Sequence, residues 1–209
     1  AEGATLTETT DEIRRAWDVP IRVLPMSDQR LSTLVTVDDP ATSDGQFTEV
    51  SFQDYFVRLR HGVPVTSIRF DGDAELSTTA RDSLTNAAAV IIAPSNPLVS
   101  IGPIRSLPGV DTLLAERRDH VVAISPIVGG AALKGPADRM LAELGHEPSV
   151  VGVAQLYAPI ASTLVIDNVD AHLAPAVEAT GMRCVVTDTI MSKPGVARQL
   201  ALDALSLPA

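Results

Sequence analysis

The chain has 209 residues and a formal net charge of −10, from 16 Lys and Arg against 26 Asp and Glu. Hydrophobic residues fill 45% of the positions and charged residues 20%, which excludes a disordered chain and suits one sizeable domain. Because the chain is acidic and has no cluster of Lys or Arg, we do not expect nucleic acid as a partner.

Residues 1–17 are polar and read as a helix, without a starting Met or an apolar signal core. Nowhere does an apolar run approach the roughly 18 residues that cross a bilayer, so we expect no membrane partner. Cys184 is the single cysteine and cannot form an internal disulfide. We expect a cytoplasmic protein, since this pattern fits a reducing compartment.

Short apolar runs alternate with helical segments along most of the chain. The predicted strands are residues 21–24, 65–70, 89–93, 121–124, 163–166 and 183–186. The predicted helices are residues 51–61, 77–88, 111–118, 135–145, 170–179 and 194–205. The later runs are apolar on both faces, which is typical of parallel strands covered on both sides. This pattern predicts one domain over residues 1–209 with a doubly wound, Rossmann-like α/β fold, a mostly parallel sheet with helices on both faces.

One region departs from this alternation. Residues 33–37 and 48–50 are strand-like and flank a polar loop at 38–46. They predict an antiparallel excursion within residues 31–50.

The loop after the 89–93 strand, PSNPLVSIGP at residues 94–103, contains small polar residues, Pro and Gly. It should lie at the carboxyl edge of the sheet, where open α/β sheets bind ligands. Ser95, Asn96 and Ser100 offer uncharged donors, and a helix beginning near Ser100 would direct free N–H groups as far as Gly102 at a phosphate. Gly102 would also permit close backbone approach. The alternative is that these Ser and Asn residues cap the next helix.

A second loop, SPIVGGAALKGP at residues 125–136, follows the next strand and should share that edge. Gly129 and Gly130 would let backbone approach a ligand, and Lys134 supplies one cation. The spacing is not that of a Walker loop. Gly135-Pro136 is also a suitable helix start.

Three aspartates near strand ends are weaker candidates. Asp167 and Asp170 could assist a divalent cation, or Asp170 could cap a helix, and Asp188 has the same ambiguity. The four His residues have no metal-ligand spacing, and no nucleophile elbow, HExxH or CxxC motif occurs. The sequence therefore assigns neither catalytic residues nor metal ligands.

The SNPLVSIGPI and SPIVGGAALKGPADRM stretches resemble the 2-phospho-L-lactate transferase family, which includes the actinobacterial phosphoenolpyruvate transferases. The resemblance is closest to the actinobacterial branch. It extends to residues 24–28, 49–62, 166–171 and 187–191, in the same order along the chain.

The resemblance implies an enzyme of coenzyme F(420) biosynthesis. The ribityl hydroxyl of a deazaflavin precursor, a substrate, would attack the distal phosphorus of a guanosine diphosphate ester of lactyl or enolpyruvyl, and GMP would leave. Mg²⁺ is the implied metal. The residues that the resemblance assigns to the nucleotide diphosphate are Ser95, Asn96, Pro97, Ser100, Ile101 and Gly102, extended to Gly129 and Gly130.

Family members begin with a strand and a glycine-rich turn, followed later by paired aspartates associated with metal and deazaflavin. We find none of these here, and residue 1 aligns about a third of the way along the family pattern. We therefore expect that the family's N-terminal third is absent from this sequence, and that metal and deazaflavin ligands cannot be assigned.

Two other interpretations are open at this point. The chain could be a non-catalytic regulator of related fold that binds a nucleotide or nucleotide sugar. It could also be an inactive piece that folds only with further strands. Homo-oligomers are common among such α/β enzymes, but the sequence locates no interface.

Overall fold

The computed structural model describes residues 3–38 and 47–207. The α-helices are α1 (Leu6–Ala16), α2 (Thr78–Asn86), α3 (Gly102–Arg105), α4 (Val110–Glu116), α5 (Ala137–Glu143), α6 (Val150–Tyr157), α7 (Ala174–Glu178) and α8 (Val196–Ser206). The strands are β1 (Ser32–Asp38), β2 (Phe47–Ser51), β3 (Val65–Asp71), β4 (Val90–Ile92), β5 (Val121–Ile124), β6 (Ile127–Val128), β7 (Ala131–Ala132), β8 (Thr163–Asp167) and β9 (Arg183–Thr187). A π-helix spans Asp54–Arg58, and 3₁₀ helices span Arg118–His120 and Asn168–Leu173.

A four-stranded parallel sheet, in the order β4-β5-β8-β9, is the centre of the molecule. On one face, Ala123 and Leu164 pack in a core with residues of α2 and α4 to α7. On the other face, Val122 and Val165 pack against Leu200 of α8. The prediction of a parallel sheet with helices on both faces is therefore confirmed.

The strand order of this sheet follows the chain order, so the sheet grows in one direction only. Right-handed crossovers then place the connecting helices on one face. α8 follows the last strand and covers the other face. Within the described ranges, the sheet does not contain the reversal of order that defines a doubly wound sheet.

A second sheet is antiparallel, in the order β2-β1-β3. Val35 pairs with Val50 and Val37 with Thr48, which confirms the predicted excursion. Residues 39–46 of the predicted loop lie outside the described residues. β3 was expected in the parallel sheet and is instead antiparallel to β1. Its polar residues explain the difference, since Thr66, Ser67 and Arg69 are exposed. A strand with one face exposed to solvent suits an antiparallel sheet.

Two further predictions were wrong. Residues 21–24 form no strand, and Ile21 is 67% exposed. Residues 51–61 contain the π-helix in place of a regular helix. The helices predicted at 77–88, 111–118, 135–145 and 194–205 are confirmed as α2, α4, α5 and α8, and 170–179 contains a 3₁₀ turn followed by α7.

The two sheets are joined by shared packing. Val35, Tyr55 and Val65 of the antiparallel layer form one buried cluster with Val99 and with Met140 of α5. No helix in the described part of the chain is both long and apolar enough to cross a membrane.

Candidate functional site

A cavity of about 630 Å³ lies at the carboxyl edge of the parallel sheet. It is lined by the loops that follow β4, β5 and β9, and by two Phe residues next to β2. Parallel strands end at the same edge, which brings these loops together. The volume is in the range of small-molecule sites, roughly 300–1,000 Å³.

The loop after β4 is split between two cavities. Ser95, Asn96 and Ser100 line the large cavity. Pro97 and Gly102 line a separate, more open cavity of about 470 Å³. Ile101, the remaining predicted residue of this loop, packs against the main core.

Asn96 organises this loop from within. Its side-chain Oδ1 accepts hydrogen bonds from the Leu98 N–H (2.9 Å) and the Val99 N–H (3.3 Å). Its backbone carbonyl accepts from the N–H groups of Ser100 (3.0 Å) and Ile101 (3.1 Å). The expectation that these last two amides are free for a phosphate was therefore wrong, and the capping alternative describes Asn96 correctly.

Gly102 also has a structural explanation. It begins α3, which has only 4 residues. A Cβ at this position would lie 3.0 Å from the Phe70 ring. Among the described residues, the close approach that this glycine permits is that of Phe70.

Other donors at this loop remain available for a ligand. In residues 3–38 and 47–207, the hydroxyl groups of Ser95 and Ser100 and the backbone N–H groups of Ser95 and Asn96 donate to no protein acceptor. Among the residues that the structure describes, the one hydrogen-bond partner of the Asn96 Nδ2 is the Met140 sulfur, at 3.6 Å. These groups can bind an anion without any positive charge on the loop.

The Gly129–Gly130 pair does not line the cavity. It is the two-residue connection of the β6–β7 hairpin, with φ values of 62° and 78°. Positive φ at both positions is the requirement of a type I′ turn, which glycine meets without strain. The Gly129 N–H donates to the Asp170 Oδ2 at 2.9 Å. The turn therefore accounts for both glycines.

Both ends of this second loop line the cavity, through Ser125, Pro126 and Val128 on one side of the hairpin turn and residues 133–136 on the other. Lys134 is the one charged side chain among the described lining residues. It is exposed, and it forms no ion pair with a residue of the described ranges. It is thus available to an anionic ligand.

Asp167 is buried at the end of β8, and both of its carboxylate oxygens accept hydrogen bonds from the protein. Its Oδ2 accepts from the Thr189 N–H (2.8 Å) and hydroxyl (3.0 Å), and its Oδ1 accepts from the Val169 N–H (3.1 Å). Burial by itself raises the pKa of Asp167, but these hydrogen bonds and the nearby Lys193 outweigh it, so the pKa lies below its usual value. The carboxylate fixes the loop after β9 to the end of β8.

The other two aspartates also have partners. Asp170 accepts from Gly129, and Asp188 pairs with the Lys193 ammonium at 2.9 Å. Within the described ranges, no three His, Cys, Asp or Glu side chains gather as a metal site. The described residues therefore assign no set of ligands to a Mg²⁺ ion.

Sequence reasoning gave no ligand-binding role to several residues of the cavity lining, namely Phe52, Phe56, Ser125, Thr189 and the three residues after it. A signal existed for Thr189, which follows β9 as Ser95 follows β4. The two Phe residues gave no such signal, because they come from the antiparallel layer. Together the residues offer hydroxyl and amide donors with one cation, and apolar side chains alongside them. This arrangement suits a ligand that has both an anionic and an apolar part.

The family model of the 2-phospho-L-lactate transferase CofD matches residues 1–202. The chain belongs to this family. The resemblance found in the loop motifs is thereby confirmed.

Relatives of this chain carry one of two enzyme names. A phosphoenolpyruvate transferase of Streptomyces griseus subsp. griseus is 35% identical over 208 residues, which cover 98% of this chain and 64% of that protein. A 2-phospho-L-lactate transferase of Methanococcoides burtonii is 34% identical, and the match covers 99% of this chain and 65% of that protein. The chain thus spans just under two thirds of the length of these relatives.

A solved structure with a similar fold is protein BH3568 from Bacillus halodurans. Its TM-score is 0.61 at 14% identity, over 93% of this chain and 65% of that one. A second crystal structure of BH3568, described as a member of the upf0052 family, gives a TM-score of 0.56 at 14% identity. At this identity the similarity supports the α/β fold alone.

Proposed function

We propose that the chain is the part of a transferase that binds a nucleotide diphosphate. The reaction moves a phosphoenolpyruvyl or 2-phospho-L-lactyl group from a guanosine diphosphate ester to the ribityl hydroxyl of a deazaflavin precursor, in coenzyme F(420) biosynthesis. Membership of the 2-phospho-L-lactate transferase family is the observation on which this rests. The cavity supports it, because its donors and its single cation suit a phosphate-bearing ligand.

In the proposed step, the ribityl oxygen forms a bond to the distal phosphorus of the ester. The bond from that phosphorus to the bridging oxygen breaks, GMP leaves with the electron pair, and the hydroxyl proton is lost. Such transfers depend mainly on positioning and on stabilising charge at the phosphate oxygens. The hydroxyls of Ser95 and Ser100 and the Lys134 ammonium are the groups of this chain that would stabilise that charge.

Mg²⁺ remains part of the proposal, and no described residue is assigned to it. We assign no step to the metal. The proposal includes both transferred groups, since relatives named for either one are 35% and 34% identical to the chain. We also propose that the reaction takes place in the cytoplasm, because a single cysteine fits a reducing compartment.

The test of the anion site is Asn96→Asp. The new carboxylate keeps the Oδ1 that accepts from Leu98 and Val99, so the loop is preserved. Its negative charge opposes a diphosphate at the cavity. We expect GDP affinity, measured by titration calorimetry, to fall at least tenfold, and GMP release from the ester to fall with it.

The matched control is Asn168→Asp, the same change at an exposed position away from the cavity lining. It should leave both measurements unchanged. Equal GDP affinity in Asn96→Asp and the unaltered chain would contradict the proposed site. Tight GDP binding with no GMP release, in the presence of deazaflavin and Mg²⁺, would favour a nucleotide-binding regulator.

A further inference from the structure

One wall of the cavity is aromatic, although only 3% of the chain is Phe, Tyr or Trp. Phe52 and Phe56 lie together there, with ring centroids 5.8 Å apart and ring planes tilted by 34°. The Phe56 side chain is 42% exposed. Solvent-exposed aromatic surface inside a cavity is unfavourable unless a ligand covers it.

The remainder of the cavity extends this apolar surface. Leu133 and Met191 also line it, and they are 54% and 50% exposed. Three large apolar side chains are thus half-exposed around a single cavity. A phosphate that binds at the β4 loop cannot cover this apolar surface favourably. The surface therefore suits an apolar part of the ligand.

The aromatic wall is held by a part-buried network. Tyr55, between the two Phe residues, is fully buried, and its hydroxyl accepts a hydrogen bond from the Arg139 guanidinium at 2.5 Å. Arg139 is paired with Glu143 at 2.9 Å. Because Tyr55 points into this network, Phe52 and Phe56, four residues apart, share the cavity side of the segment.

The local backbone is also specialised. Residues 54–58 form a π-helix, a rare conformation that is frequent at functional sites. Arg60 and His61 follow it with φ values of 48° and 42°. The His61 ring lies 5.2 Å from the Phe56 ring. The segment therefore fixes the orientation of Phe56 from both sides.

We propose that Phe52 and Phe56 bind a planar aromatic heterocycle of a substrate, while its polar or phosphate-bearing chain reaches the β4 loop and Lys134. This inference rests on the proposed function, in which both substrates join a planar ring to a polar chain. A flat ring suits an aromatic wall because stacking adds to the burial of apolar area.

The test is Phe56→Ala, with binding measured by calorimetry for three probes. GDP has a guanine ring and a diphosphate, a ribityl deazaflavin has a ring without phosphate, and inorganic pyrophosphate has no ring. We expect the affinity for at least one ring-bearing probe to fall about tenfold. The affinity for pyrophosphate should not change. The probe that responds identifies which substrate occupies the wall.

Two variants serve as controls, and a third repeats the test with a smaller loss of volume. Phe56→Tyr keeps a ring and should bind as the unaltered chain does. Phe56→Leu keeps most of the volume without the ring, and it replaces the Ala variant if that one does not fold. Phe47→Ala removes a 64% exposed Phe from β2, away from the lining, and should change no affinity.

Unchanged affinity for both ring-bearing probes in Phe56→Ala and Phe56→Leu would overturn the inference. So would an unaltered chain that binds pyrophosphate but neither ring. A loss of ring affinity in Phe56→Ala, together with normal GDP affinity in Asn96→Asp, would support the aromatic wall and reject the anion site. The two proposals can therefore fail separately.

Discussion

Asp167 shows how a side chain at a ligand-binding edge can serve the fold. Its carboxylate accepts three hydrogen bonds, and two of them come from Thr189, which is 22 residues further along the chain. Because these bonds favour the charged form, they hold the pKa of Asp167 below its usual value despite burial. The residue sets the position of Thr189 in the cavity wall.

We predict that Asp167→Asn lowers the free energy of unfolding at pH 7 by about 2–3 kcal/mol, since an amide nitrogen cannot accept from Thr189. A lowered pKa stabilises the fold above the unfolded value, near 3.8, and this stabilisation is lost as the pH falls through the folded value. The difference between variant and unaltered chain should therefore shrink from pH 7 to pH 3. Urea denaturation at both values measures it, and a difference independent of pH would contradict this account.

The sequence could not decide the role of either Asp167 or Asn96. Position after a strand predicted correctly that both lie at the carboxyl edge of the sheet. Whether such a side chain binds a ligand or a neighbouring amide depends on its partner. For Asp167 that partner is Thr189, which only the fold brings near.

At the β6–β7 hairpin, the role predicted from the sequence differs from the role that the structure shows. Gly129-Gly130 suggested a ligand loop, and the structure shows a turn with both φ values positive. The signal that was missed is the pair of short apolar segments on either side, which form β6 and β7. A Gly-Gly pair between two such segments is a hairpin signature.

We expect Gly130→Val to reduce the free energy of unfolding by about 1–2 kcal/mol, because a β-branched residue is strained at φ 78°. No atom of residues 3–38 and 47–207 lies within 4 Å of a Cβ built at Gly130, so crowding by these residues does not contribute. Gly130→Asn is the matched control, since Asn tolerates this conformation. Thermal unfolding measures both variants. Equal losses would show that the turn geometry is not what requires glycine.

At the scale of the molecule, the two sheets are connected through α5. The Glu143 Oε2 accepts from the Val65 N–H of β3 at 2.9 Å, and its Oε1 pairs with Arg139. Arg139 in turn binds the Tyr55 hydroxyl. One carboxylate thus ties the antiparallel layer to a helix of the parallel layer.

We predict that Glu143→Ala destabilises the protein by about 2 kcal/mol, because the part-buried Val65 N–H and the Arg139 guanidinium both lose their acceptor. Hydrogen exchange should accelerate at β3 more than at β5. Glu116→Ala, at an exposed position of α4, is the control and should change neither quantity. Uniform acceleration in both sheets would show that Glu143 does not act between the layers.

The α/β class, all four strands of the parallel sheet and most helices followed from the alternation of apolar runs with helical segments. The position of the antiparallel layer did not follow from that pattern. Its contact with α5 depends on Tyr55 meeting Arg139 and on Val65 meeting Glu143, and these partners are 84 and 78 residues apart in the chain. For this reason the aromatic wall could not be predicted, whereas the β4 loop could.

The cavity takes its walls from both layers, and this has a thermodynamic consequence. A bound molecule that touches Phe56 and the β4 loop at once would clamp the antiparallel layer onto the parallel one. Its binding free energy would then raise the melting temperature in proportion to the logarithm of its concentration. Protease resistance of β1 to β3 would rise in parallel, so substrate would protect the very layer that shapes its own pocket.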